Sequence, residues 1–119
     1  MPVVSLQYKP DRIPKEAIEK LAPALTIFIS GALDIPENKD ARLKPEDIEV
    51  RVTHPHEFNT NAKDLEIMIW AHEYPERSQN IEERKDKIVA DVRRFFADYD
   101  YNITGWVWIL LQPTSFGKI

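Results

Sequence analysis

The stretch Met1-Pro2-Val3-Val4-Ser5-Leu6-Gln7-Tyr8 predicts a short β-strand that begins almost at the start of the chain. A strand tolerates proline at its first position, because no ladder hydrogen bond needs a donor there. If Met1 is removed, the nitrogen of Pro2 becomes a secondary amine, and an ordinary α-amine has a pKa near ~8. Burial beside a cation would lower that pKa, so Pro2 is a candidate general base at neutral pH.

The composition indicates one domain over residues 1–119. Hydrophobic residues make up 43% of the chain, which is enough to fill a single core. The net charge of −4 argues against a general nucleic-acid binder, which needs a basic face. No apolar run approaches the roughly 20 residues of a membrane-spanning helix, and no signal-like segment opens the chain. Because the sequence also contains no cysteine, we expect a cytoplasmic protein that binds neither nucleic acid nor membrane.

Hydrophobic periodicity predicts a strand–helix–strand order that occurs twice. In the first unit, about residues 1–55, apolar residues at three- and four-residue steps predict a helix that ends at Leu33, and a strand follows at residues 48–53. Pro14 suits the first position of this helix. Pro23 lies inside the helix and should kink or divide it, because proline removes one backbone donor.

The second unit, about residues 64–113, repeats the order. Alternating apolar residues predict strands at 64–72 and 103–111. Asn80 is a good N-cap for the helix between them, which runs to about Ala97. Because each unit returns to a parallel strand through a right-handed crossover, the sequence predicts an α+β fold with a four-stranded mixed sheet and both helices on one face.

The two faces of this sheet differ in chemistry. The face that both helices cover is lined by aliphatic residues: Ile48, Val50, Val52, Leu65, Ile67 and Ile69. The opposite face carries charged and aromatic residues: Glu49, Arg51, Glu66, Met68, Trp70, His72, Trp106 and Trp108. All three tryptophans lie there, so a monomer would expose an unusually large aromatic patch. We therefore expect an oligomer whose sheets face one another, with ligand pockets where subunits meet.

This doubled order, with proline directly after the initiator methionine, resembles the tautomerase superfamily, the group of macrophage migration inhibitory factor and 4-oxalocrotonate tautomerase. Ile18–Leu25, with its internal proline, is similar to a helix of small bacterial members. Lys44–Pro45 before Ile48–Val52 resembles the lysine-proline step into the second strand of the migration inhibitory factor group. Leu65–Trp70 and the ending Leu111–Phe116 look most like uncharacterised small bacterial tautomerase-like proteins.

The resemblance implies catalysis without a cofactor. Family members use the nitrogen of the N-terminal proline to move a proton between carbon and oxygen in enol–keto conversions. In related dehalogenases and decarboxylases the protonated proline is a general acid. Pro2 matches that proline, and Lys44 matches a position that contributes a cation near the pocket. The implied substrate is a small carboxylated carbonyl or enol compound, and the implied assembly is a homotrimer or larger oligomer with sites at subunit interfaces.

The second predicted strand carries charged groups that bear on substrate binding. Arg51, together with Lys44, is the candidate cation for a substrate carboxylate, and the alternative is that Arg51 pairs with Glu49 or Glu66 across the sheet. Glu49 stands where 4-oxalocrotonate tautomerase keeps a carboxylate-binding arginine. This departure from the family pattern disfavours a dicarboxylate substrate, because a glutamate would repel it.

Four further residues are candidate substrate contacts. His72, at the end of the third strand, either aids proton transfer or is a hydrogen-bonded surface histidine. Trp70, Trp106 and Trp108 either pack at a subunit interface or line a pocket that opens there. No metal site is expected, because the His-Pro-His run at residues 54–56 has no third ligand in a sensible position.

Two other interpretations are compatible with the sequence. The first is a non-catalytic trimeric binding or assembly protein on the same scaffold, which Glu49 at a cation position favours. The second is a ferredoxin-like regulatory module, in which the first residues have no special role. In a ferredoxin-like sheet each central strand is flanked by the other unit's last strand, whereas the tautomerase sheet pairs each strand with its own crossover partner.

Overall fold

The computed structural model describes residues 1–99 and 102–119. It contains one four-stranded sheet, covered by two long helices, with a one-turn helix after the third strand. Two 3-10 turns, Lys39–Ala41 and Pro45–Asp47, connect the first helix to the second strand. The elements in chain order are β1 Val3–Tyr8, α1 Lys15–Leu33, β2 Glu49–Thr53, β3 Leu65–His72, α2 Pro75–Ser78, α3 Ile81–Ala97 and β4 Gly105–Gln112.

The strand order is β2-β1-β3-β4. β1 is parallel to β2, β3 is parallel to β4, and the two central strands β1 and β3 are antiparallel. Each strand therefore pairs with its own crossover partner. This order confirms the doubled strand–helix–strand fold and excludes the ferredoxin-like arrangement.

Side-chain alternation along the strands places the core under the helices, as the sequence predicts. In β3 the residues facing the helices are at most 3% exposed, and they alternate with half-buried residues on the outer face. Stripes of α1 and α3 complete the core with Leu21, Leu25, Ile29, Ile88, Val92 and Phe96. Val52 is an exception, because it lies on the edge strand β2 and remains 45% exposed.

Two local predictions differ from the structure. Pro23 does not divide the first helix, which runs without a break from Lys15 to Leu33. One missing donor is outweighed by the buried stripe that holds both halves against the sheet. Asn80 does occupy the N-cap position of α3, but its side chain makes no cap bond. Instead, its Oδ1 accepts a hydrogen bond of 2.6 Å from the Nε of Arg84, four residues later.

The outer face of the sheet carries the aromatic patch that the sequence predicts. Trp106 is 53% exposed and Trp108 is 49% exposed, with their ring centroids 6.1 Å apart, whereas Trp70 is half-buried. Within residues 1–99 and 102–119, no helix combines the length and apolar character needed to cross a membrane.

Candidate active site at the start of the first strand

Pro2 lies immediately before β1 in the middle of the sheet. Its ring is fully buried, and its carbonyl accepts a hydrogen bond of 3.2 Å from the backbone N–H of Glu49. The next residue, Val3, is level with Glu49 on β2 and with Trp70 on β3. Because β1 and β3 are antiparallel, the start of β1 and the end of β3 lie at the same end of the sheet.

A buried cation occupies this end of the molecule. Arg77, on the one-turn helix that follows β3, is only 2% exposed. Its Nε, Nη1 and Nη2 donate hydrogen bonds of 2.9, 3.0 and 3.1 Å to the carbonyls of Leu33, His72 and Ala41. No carboxylate of the described residues forms an ion pair with it. The guanidinium therefore connects the end of α1 to the end of β3 without a direct ion pair, and the carboxylates of Asp34 and Glu76 act on its charge from a greater distance.

The charge of Arg77 acts on the amino terminus. The pKa of the terminal amine, carried by Met1, is held below its usual value. Burial is the largest cause, and the positive charge of Arg77 acts in the same direction. The carboxylate of Asp47 opposes both effects. Burial likewise lowers the pKa of the Arg77 guanidinium, although Tyr74 partly offsets this effect. Burial and Arg77 thus shift the terminal amine toward its uncharged form, relative to an ordinary chain terminus.

The two predicted carboxylate-binding residues differ in whether a carboxylate already pairs with them. Lys44 precedes the 3-10 turn that leads into β2, and its backbone N–H donates to Asp47 Oδ2 at 2.8 Å. Its side chain is exposed and forms no ion pair within the described chain. Arg51 is engaged by Glu49, with Nε to Oε1 at 3.1 Å. Lys44 is therefore the cation available to a ligand, and Arg51 is not while that pair is closed.

His72 marks the end of β3 and holds the C-terminal segment in place. Its Nδ1 accepts a hydrogen bond of 3.1 Å from the backbone N–H of Thr114 and lies 3.0 Å from the hydroxyl of Thr114. The ring stands edge-on to Tyr74, with centroids 4.7 Å apart. His72 is thus at the same end of the sheet as Pro2, in the hydrogen-bonded state that the sequence offered as one alternative.

Trp106 and Trp108 are separated from Pro2 within one chain. Trp106 is level with Glu66 of β3, and Glu66 is level with Gln7 of β1. The five positions from Pro2 to Gln7, at about 3.3 Å per residue, separate the level of Trp106 from that of Pro2 by ~16 Å along the strand direction. Trp70 lies beside Val3, at the end of the sheet where Pro2 lies, whereas Trp106 is remote from Pro2 in a single chain.

Sequence reasoning missed Arg77. Arg77 lies between the predicted strand at residues 64–72 and the helix that Asn80 begins, and nothing in the residue type marks this arginine among several others. The strand pairing could have identified it, because β1 and β3 are antiparallel and a residue that directly follows β3 lies at the end of the sheet where β1 begins. No group of residues suited to holding a metal ion is found in the part of the chain that the structure describes.

Neither a protein-family model nor a curated protein matches this sequence. The fold, however, is similar to solved structures. The macrophage migration inhibitory factor-like protein of Entamoeba histolytica is 10% identical and has a TM-score of 0.55 over 96% of this chain and 89% of its own. A malonate semialdehyde decarboxylase is 14% identical, with a TM-score of 0.54 over 98% of this chain and 91% of its own.

A third similar structure is that of N1, a member of the cis-3-chloroacrylic acid dehalogenase family. It is 14% identical, with a TM-score of 0.58 over 98% of this chain and 82% of its own. At these identities the likeness establishes the fold alone. The chain therefore has the fold of the tautomerase superfamily over almost its entire length.

Proposed function

We propose that this protein is a cofactor-independent tautomerase-like enzyme that acts on a small enolisable carbonyl acid. The nitrogen of Pro2, freed by removal of Met1, would be its general base or general acid. The observation that carries the proposal is the position of Pro2. It is fully buried at the start of β1, in a site where burial and Arg77 lower the pKa of the terminal amine.

The expected chemistry follows from that pKa. Once Met1 is removed, the free amine moves one residue inward to a buried ring, so desolvation acts on it more strongly than on Met1. A neutral amine at pH 7 accepts a proton from an enol oxygen or from a carbon next to a carbonyl, and its conjugate acid returns the proton to the other atom. The similar decarboxylase was studied together with a variant in which its first residue, a proline, is replaced by alanine.

Substrate binding would combine the groups near Pro2 with groups from a second subunit. We assign the first contact with a substrate carboxylate to Lys44, because its charge is free in the described chain, and a second contact to Arg51 when it leaves Glu49. His72 and Trp70 border the same end of the sheet. In a homotrimer with facing sheets, Trp106 and Trp108 of a neighbour would close the pocket and exclude water.

The test is a spectrophotometric enol-to-keto assay on phenylenolpyruvate, with protein shown by intact mass to lack Met1. Pro2→Ala should lose at least about a hundredfold in rate, the usual contribution of general acid–base catalysis, while assembly and secondary structure stay unchanged. A chain that retains Met1 should be equally inactive, because its Pro2 nitrogen is an amide. Equal rates for the Pro2→Ala variant and the parent would refute the mechanism.

The second candidate function is a non-catalytic binding or assembly protein. The pair between Glu49 and Arg51 favours it, because that pair removes a cation from the strand where the sequence places substrate binding. Calorimetric titration of the Met1-free oligomer with pyruvate would separate the two functions. Binding without turnover of any simple enol would support the binding protein, and turnover lost in Pro2→Ala would exclude it.

A further inference from the structure

A groove runs between α3 and the edge strand β4, away from Pro2. Its deeper part is a cavity of about 350 Å³, near the lower end of the range of roughly 300–1,000 Å³ for small-molecule sites. The same groove continues along α3 as a second cavity of about 550 Å³. The walls of the deeper cavity are mainly apolar, with side chains of Leu65, Ile67, Val92, Phe96 and Val107.

Arg93 lies where the two cavities meet. It borders both of them, as Val89 does. On α3 the positions 89, 92, 93 and 96 follow three- and four-residue steps, so they form one stripe that faces β4. The groove therefore presents a guanidinium beside a small apolar cavity.

The charge of Arg93 has no partner in residues 1–99 and 102–119, either as an ion pair or as a hydrogen bond. The acidic residues of the second cavity are already engaged, because Lys85 Nζ lies 3.1 Å from Glu82 and 2.8 Å from Asp86. The adjacent Arg94 pairs with Asp91 at 3.0 Å. Arg93 is thus a solvent-exposed cation, without a charge partner among the described residues, at the mouth of a mainly apolar cavity, and this arrangement is complementary to an anion with an apolar body.

We propose that this groove is a binding site for a small amphipathic monocarboxylate, such as a medium-chain fatty acid. The carboxylate pairs with Arg93, and the hydrocarbon chain enters the cavity between α3 and β4. Within one chain the groove is distant from Pro2, because Gly105 and Trp106 are level with Leu65 and Glu66, at the opposite end of the sheet from the start of β1.

The experiment is isothermal titration of the full-length protein with sodium octanoate and, separately, with sodium hexanoate. Octanoate should bind about fifteenfold more tightly, because each buried methylene is worth about fourfold in affinity. Arg93→Gln should weaken octanoate binding about tenfold or more. Arg94→Gln is the matched control, since its side chain is 75% exposed and already paired, and it should change affinity less than twofold.

A second pair of variants tests the cavity itself. Val89→Phe, at a half-buried position that borders both cavities, should fill the groove and abolish binding, whereas Ala90→Phe on the exposed face of α3 should leave it unchanged. Circular dichroism and thermal melting confirm that each variant is folded. The proposal is overturned if octanoate does not bind at millimolar concentration, if hexanoate binds equally well, or if Arg93→Gln and Arg94→Gln have equal effects.

Discussion

Arg77→Met is the substitution that most directly tests how the candidate site is held together. Removal of the guanidinium takes one donor from each of the carbonyls of Leu33, His72 and Ala41. Ala41 keeps a longer bond of 3.4 Å from the N–H of Ile35, so its loss costs less. At roughly 1 kcal/mol or more for each of the carbonyls of Leu33 and His72, and less for that of Ala41, the free energy of unfolding should fall by about 2–3 kcal/mol.

Urea unfolding at pH 7 measures that loss. With a denaturant slope of about 2 kcal/mol per molar, the midpoint should fall by roughly 1–1.5 M. Arg42→Met is the control, because the exposed Arg42 donates to one carbonyl only, that of Pro36 at 2.9 Å, and its loss should cost less than about 1 kcal/mol. Equal shifts for the two variants would show that Arg77 does not hold these elements together.

The same arginine should also set the pH dependence of the proposed reaction. A cation near the terminal amine lowers its pKa, so loss of the cation raises that pKa and leaves less free base at a given pH. The acidic limb of the rate profile of Met1-free protein should therefore move to higher pH in Arg77→Met. In Arg77→Lys, which keeps the charge but cannot reach all three carbonyls, the limb should stay in place while stability falls. An acidic limb that stays in place in Arg77→Met would show that the charge of Arg77 does not lower the pKa of the catalytic amine.

Two further predictions concern the start of β3. Burial alone would raise the pKa of Asp64, but the hydrogen bond from Thr104 and nearby cations outweigh it and lower that pKa. Asp64 should therefore stabilise the fold above its ordinary pKa and lose this effect as pH falls through its lowered value, and Asp64→Asn should flatten that part of a stability–pH curve. Gly105→Ala places a Cβ 2.5 Å from the carbonyl oxygen of Leu65 and should cost about 1–3 kcal/mol in urea unfolding. Gly117→Ala, with open space around the added Cβ, should leave the free energy of unfolding unchanged. Equal effects of the two substitutions would show that the contact with Leu65 is not the cause of the loss at Gly105.

The element order was predictable because it depends on local patterns. The alternation of Leu65, Ile67 and Ile69 with polar and aromatic neighbours is a period of two, and the stripe of α1 is a period near 3.6. These periods determine which side of each element is apolar, whatever the rest of the chain does. The exposed Trp106 and Trp108 followed from the same rule, since they occupy the alternate positions of the last strand.

Pro23 and Asn80 show where local rules fail. Each rule gives the cost or benefit of one backbone or side-chain bond, about 1–3 kcal/mol, and tertiary packing contributes terms of the same size. A buried stripe kept the first helix continuous through Pro23. The Oδ1 of Asn80 accepts a hydrogen bond from the side chain of Arg84 and does not cap α3.

Local patterns of residues were enough to predict the doubled strand–helix–strand order, the covered and open faces of the sheet, and the position of Pro2 at a strand start. The burial of Arg77 near that strand start, the pairing of Glu49 with Arg51 and the position of Arg93 beside an apolar cavity became visible in the folded chain alone. The physical reason is distance along the chain. Periodicity is a property of neighbouring residues. The electrostatic environment at the start of β1 instead depends on Arg77, which is some seventy-five positions away in the sequence and is brought close by the pairing of β1 with β3.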